Sequence, residues 1–380
     1  MLTSSSFLHQ GQAYENINGG TVMKIRGILV SGVLAFAFVF GLSNQGKATE
    51  TISLTAIDGY PPKSMWVDRF IKFFIPEIDK GLAKSGNYKI KWNQAWSGQI
   101  AKKKKVLQGV QKGLGDIGVV TTVFHGSRVP LQMIAYATPF VTVDPGLVSR
   151  TVDELVRDYP AFKKDWAKFD QVYLTNLAVL DTYQMFFKEP VKAVSGFKGK
   201  KIGVAGMNAL YMKNLGAATV GGSFVTYYNK VKTGVIDGFM LWPEAVTAFK
   251  MQEVAPYMLR ANIGTVNSKA VTMNAKTWAK LPAEVRKVIE ETSIKYRDHV
   301  AATAMKKADA SYSKFKEKGG TIFEMTEGQR QGWASSMPNV AKTWADGLDK
   351  KGIPGNKILS AYMDTMRANG QKILRQWDKE

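Results

Sequence analysis

The 380-residue chain contains no cysteine and three histidines. The first absence removes disulfide scaffolds, thiolate metal sites and a cysteine nucleophile together. The second leaves too few ligands for a zinc centre, which needs three or four. His9 lies in a segment read below as removed, and His125 and His299, far apart in sequence, read as surface or hinge residues. A nucleophile elbow, a Walker loop and a dinucleotide fingerprint with its following strand and acidic residue are also missing. Gly199-Lys200-Lys201 reads as a turn entering a strand, and Glu290-Glu291 falls on a long helix where solvation is the default. These residues ask for no enzyme, cofactor or metal ion.

Long apolar runs are lacking too. Residues 27–42 are apolar, follow the basic Met23-Lys24-Ile25-Arg26 and precede the small residues of Gly46-Lys47-Ala48. The run is shorter than the ~20 residues of a spanning helix, so it reads as a signal peptide starting at Met23 and cleaved after Ala48. Residues 1–22 show no such pattern. The expected location is the periplasm, and the remaining chain suffices for two domains of about 150 residues each.

What is abundant is positive charge: 52 Lys and Arg against 31 Asp and Glu, a net +21. Such a balance fits nucleic acid, an anionic membrane surface or acidic ligands. The lysines are scattered, with Lys102-Lys103-Lys104-Lys105 the one dense run, and export removes the usual nucleic-acid partner. They read as solvated faces, with no nucleic-acid partner.

Periodicity gives an α/β architecture. Residues 51–56 alternate as a strand, and the loop Asp58-Gly59-Tyr60-Pro61-Pro62 follows. A helix from 64 to about 82 carries Trp66, Val67, Phe70, Phe73 and Phe74 on helical spacing. A strand at 88–92, a helix at 101–112 ended by Gly113, and a strand at 117–120 complete a lobe with parallel pairing. A second lobe begins near Asp181: a turn from Gly196 to Gly199, a buried strand at 201–204, a helix ending at Gly234 and a strand opening at Asp237-Gly238. Its loops gather at one end of a sheet, where ligands bind. Residues 269–274 read as a strand. Between 283 and 318 there is no glycine or proline, which predicts one long helix, and further helices near 327–348 and 357–377 are expected on the outside.

Several segments carry a family resemblance. Trp96-Ser97-Gly98-Gln99-Ile100, Val106 to Gly113, Gly115-Asp116-Ile117, Thr138-Pro139-Phe140, Gly196-Phe197-Lys198-Gly199-Lys200, Tyr211 to Ala218, Lys232-Thr233-Gly234-Val235-Ile236-Asp237-Gly238 and Trp278-Ala279-Lys280-Leu281-Pro282 occur in order over nearly all of the chain after residue 50. Together they resemble the solute-binding proteins of tripartite ATP-independent periplasmic (TRAP) transporters, of the dicarboxylate-binding DctP type.

The resemblance implies a two-lobe α/β periplasmic binding protein (type II-like) with a hinge and a long interlobe helix. With the extension and signal peptide at 1–48, the first lobe is expected at 49–180 plus about 269–308. A second lobe, with the C-terminal helices, takes 181–268 plus part of 309–380. The resemblance further implies a small organic acid captured by hinge closure and delivered to one small and one large membrane subunit.

The candidate ligand-binding set is Tyr60, Trp96, Thr121, Phe124, Arg128, Tyr183, Gly203, Asn208, Phe224 and Trp242. Phe224 falls where the family packs a ring on its ligand, and Trp242 lies in a ligand-contacting loop. Where the family carries an arginine that clamps the ligand carboxylate, this chain has Gly203, and Tyr183 takes the place of a second family arginine. Glycine there is expected to leave a void for a larger ligand or for Trp242. The reading is therefore a bulky or aromatic acid held by hydroxyls, backbone donors and a relocated base such as Arg128. The alternatives are a neutral or cationic solute stacked on the rings, a periplasmic ligand-sensing domain, or an exported enzyme.

Overall fold

The computed structural model describes residues 48–380, so the proposed signal peptide lies outside the described residues. Its strands are β1 (Glu50–Ile57), β2 (Tyr88–Ala95), β3 (Ile117–Thr121), β4 (Gln171–Leu177), β5 (Gln184–Phe187), β6 (Lys201–Val204), β7 (Ala218–Gly221), β8 (Gly238–Leu241), β9 (Tyr257–Arg260), β10 (Lys269–Asn274) and β11 (Thr321–Glu324). They form two sheets, one ordered β2-β1-β3-β10-β4 and the other β11-β9-β5-β8-β6-β7. In the first, β1 pairs parallel with β2 and β3, as the strand-helix-strand order requires. β10 runs antiparallel between β3 and β4 because the chain reaches it from the other lobe.

Local chemistry explains where the helices depart from the sequence pattern. The stretch 65–82 is one helical run, but its middle, Phe70–Phe74, is a π-helix. Pro76 follows this segment and has no N–H for the normal ladder, so the backbone widens by one residue per turn. The expected helix at 101–112 shrinks to Val106–Gln111, since the like-charged Lys102–Lys105 run forms turns before it. The stretch 327–348 is two helices, Glu327–Ser336 and Val340–Asp349, parted at Pro338. The last helix, Gly355–Ala368, is not peripheral: it buries Ile358, Leu359, Tyr362, Met363 and Met366. Trp377 lies beyond it, fully buried, with its indole N–H donating to Pro139 O at 2.7 Å.

The chain passes between the sheets at 178–183, at 261–268 and along the helix Ala283–Glu317. That helix, about 50 Å long by its rise per residue, begins on the first lobe and ends on the second. Tyr296 donates to Trp66 O at 2.6 Å and Arg297 pairs with Asp153 at 2.7 Å; further along, Phe315 lies 5.7 Å from Phe186 of β5.

One polar knot ties all three passages. The Gln184 amide N–H donates to Asn262 Oδ1 at 2.6 Å and to Tyr312 Oη at 2.8 Å, while its carbonyl accepts from the backbone of Ala261 and Asn262. Tyr312 in turn donates to Asp181 at 3.4 Å. Asn262 sits at φ 47°, a left-handed conformation that asparagine tolerates better than other non-glycine residues.

Burial raises the Asp181 carboxyl to about 6. The folded chain therefore keeps a proton that the unfolded chain releases near ~3.9, and stability falls as pH rises through that window. Asp181→Asn should stabilise the protein by about 1–3 kcal/mol at pH ~8 and leave it nearly unchanged at pH ~4, as read by urea unfolding at the two pH values.

Candidate functional site

The carboxyl ends of the parallel strands in the two sheets face one another across a cavity. This is where an open α/β sheet presents its loops. From the first lobe come Tyr60 after β1, Thr121 at the end of β3, Val123 and Phe124 just beyond it, Tyr136, and Ser268 and Lys269 at the start of β10. From the second come Ala205 and Asn208 after β6, Ser223 and Phe224 after β7, Tyr227, and Met240, Leu241 and Trp242 at the end of β8. Tyr183 enters from the first passage between the lobes.

The walls are ring against ring. Tyr60 stacks on Phe224 at 5.2 Å, and Trp242 meets Phe224 edge-on at 5.4 Å and Tyr183 edge-on at 6.2 Å. Since Tyr60 and Phe224 belong to different lobes, their stacking spans the cleft. The Tyr60 and Ser223 hydroxyls add a buried hydrogen bond across it at 3.1 Å. Gly206 approaches closely: at φ 51°, a Cβ there would lie 2.3 Å from Val123 O. Only glycine fits that contact with both lobes in place.

One cation enters this aromatic setting. Lys269 is 2% exposed, and its ammonium lies 4.1 Å from the Trp66 ring centroid and 4.7 Å from that of Tyr60 and donates to Thr121 Oγ1 at 3.0 Å. Burial lowers its proton affinity, which the charge of Asp58 partly restores. Burial in turn raises the Asp58 carboxyl, against Lys269 and the hydrogen bonds it accepts from Trp66 Nε1 at 2.8 Å and Tyr60 N at 2.9 Å. Desolvation likewise pushes the Tyr60 and Tyr227 hydroxyls well above the ordinary phenol range, so both are neutral donors. The Tyr136 and Tyr227 hydroxyls, Asn208 Oδ1 and Ser268 Oγ are buried on this wall without a protein hydrogen-bond partner. Unpaired buried polar atoms are costly, and a site built for a polar ligand is one setting that keeps them.

Of the residues singled out from the sequence, Tyr60, Thr121, Phe124, Tyr183, Asn208, Phe224 and Trp242 line the cavity. Three do not. Trp96 packs edge-on against Phe70 at 5.5 Å, and its indole N–H donates to Gln94 at 3.1 Å. Arg128 is exposed and engages the side-chain carbonyl of Gln108. Gly203 leaves no void: a Cβ there would meet Ile236 Cδ1 at 2.8 Å and Tyr227 Cε1 at 3.1 Å, so core side chains other than Trp242 have taken the space. The base on the wall is Lys269, not Arg128. A lysine opening an apolar strand looks like any solvated strand end, and no sequence signal separates the two. His125, read as a surface or hinge residue, is buried at 2% exposure.

Among the described residues no group of three or more His, Cys, Asp or Glu side chains is placed to hold a metal ion, and no helix is long and apolar enough to cross a membrane. The chain is similar to known proteins over most of its length. It is 25% identical over 268 residues to the C4-dicarboxylate-binding periplasmic protein DctP of Rhodobacter capsulatus, covering 69% of this chain and 79% of that protein. Its fold matches a TRAP solute-binding protein of Rhodoferax ferrireducens solved with copurified benzoate, at TM-score 0.74 and 19% identity over 84% of this chain and 98% of that one. It also matches a TRAP periplasmic solute-binding protein of Bordetella bronchiseptica with bound mandelate, at TM-score 0.74 and 21% identity over 84% and 99%. The profile of bacterial extracellular solute-binding proteins, family 7 (DctP), matches residues 77–346, and the chain belongs to that family.

Proposed function

We propose that this protein is the periplasmic receptor of a TRAP-type transporter, capturing a bulky or aromatic organic acid by hinge closure and passing it to the small and large membrane subunits. The observation that carries the ligand class is the cavity wall: Tyr60, Tyr183, Phe224 and Trp242 around one buried ammonium. Ligand sites are apolar clefts with a few convergent polar groups, and this wall, rings around a few hydroxyls and one ammonium, has that composition. Rings on both lobes and a hydrogen bond across the cleft let a ligand draw the lobes together, since each contact made only in the shut state shifts the population toward it. The benzoate and mandelate of the structural relatives are acids of this kind. Binding is the whole task, so no reacting group is required.

The ligand class is tested by thermal shift and calorimetry over aromatic acids, C4-dicarboxylates, sugar acids and quaternary amines, binding being read as a rise in apparent stability. Aromatic acids should shift the melting temperature most; a strong shift with succinate alone contradicts the assignment. Trp242→Ala should weaken the best acid by about 2 kcal/mol or more, the loss of a buried aromatic anchor. Gly206→Val should hold the lobes apart against Val123. Small-angle scattering should then show no compaction with ligand, whereas the unmutated protein contracts.

A further inference from the structure

We infer that Lys269 is the carboxylate anchor of this protein and that the ligand it holds carries a single negative charge. The inference rests on the proposed acid-binding role. Gly203 of β6, in the second lobe, is packed by Ile236 and Tyr227 and is not on the cavity wall, so no space for an anchor opens there. Lys269, on β10 of the first lobe, is the cationic side chain on the cavity wall among the described residues. Beside it the Thr121 hydroxyl and the unpartnered Ser268 hydroxyl complete a cradle of donors for a carboxylate.

The charge balance limits what fits. Lys269 already faces the buried Asp58, and Trp66 and Tyr60 are shared between them: each ring lies against the ammonium, and each residue donates to the Asp58 carboxylate. One incoming carboxylate brings the third charge of the cluster. A dicarboxylate would bring a fourth, with its second carboxylate set among neutral hydroxyls and rings, and a buried charge without a partner is strongly unfavourable.

The arriving anion raises the proton affinity of both Lys269 and Asp58, so binding takes up protons, increasingly as pH rises through the range in which the free pair releases its proton. The titratable groups facing Lys269 are Asp58 and Tyr60, and Tyr183 faces Tyr60 in turn.

The test is calorimetric titration of the full chain with benzoate, mandelate and 3-hydroxyphenylacetate and with the matching primary amides, in buffers of differing ionisation enthalpy. Lys269→Met, which keeps the length and apolar stem, should lose the acids by about a hundredfold or more, the scale of truncating one member of a buried charge pair. On the unmutated protein, each amide should bind about a hundredfold more weakly than its acid and without proton uptake, which needs no variant to fold. Acids that bind Lys269→Met as tightly as the parent, or amides that equal the acids, overturn the anchor while leaving an aromatic-acid receptor standing. Failure of every acid on the unmutated protein overturns the anchor and the acid reading together.

Discussion

A buried lysine, Lys269 at 2% exposure, is the constraint around which this site is built. Taking a charge out of water costs several kcal/mol unless other groups replace its hydration. Here Trp66 and Tyr60 supply ring faces, Thr121 an acceptor and Asp58 an opposite charge. Each of these has a second task. Trp66 and Tyr60 orient Asp58, Tyr60 also stacks on Phe224 and shares a hydrogen bond with Ser223, and Trp66 O accepts from Tyr296 of the long helix. The arrangement that tolerates the buried charge is thus part of the one that bridges the two lobes.

The scaffold gives that arrangement its two halves. Strand ends from two sheets face each other because the chain passes between them three times, and the Gln184 network fixes those passages relative to one another. A hinge of this construction moves lobes as bodies, with the changes in φ and ψ confined to a few residues. At its second passage Asn262 and Gly264 have positive φ, the kind of backbone that concentrates such changes. Gly206 lies against Val123 of the other lobe so closely that a Cβ there would clash, which leaves the two walls little room to slip past one another.

Much of the fold was legible because it is written in periodicity and punctuation. The 201–204 and 269–274 strands and the long helix to Glu317 follow directly from apolar runs and from where glycine and proline stand. The misreadings trace to effects that a period cannot show: the like-charged run delaying the helix at Val106, the proline widening the helix at Phe70–Phe74, and Pro338 splitting a helical stretch. In the site, rings at strand ends were findable. The filling of the space at Gly203 by Ile236 and Tyr227, and the inward face of Lys269, depend on partners far away in sequence, which no local pattern encodes. Arg128 was a reasonable base by position, yet its stem turns to Gln108 on the surface.

A pocket walled on both lobes retains its ligand through purification when the shut state dominates, so the central claim can be read from what the protein carries. The most direct measurement is mass spectrometry of the small molecules released on denaturing protein purified from its native host without added ligand. The account predicts an aromatic or similarly bulky monocarboxylic acid in near-stoichiometric amount. A C4-dicarboxylate or a quaternary amine in that role would contradict it.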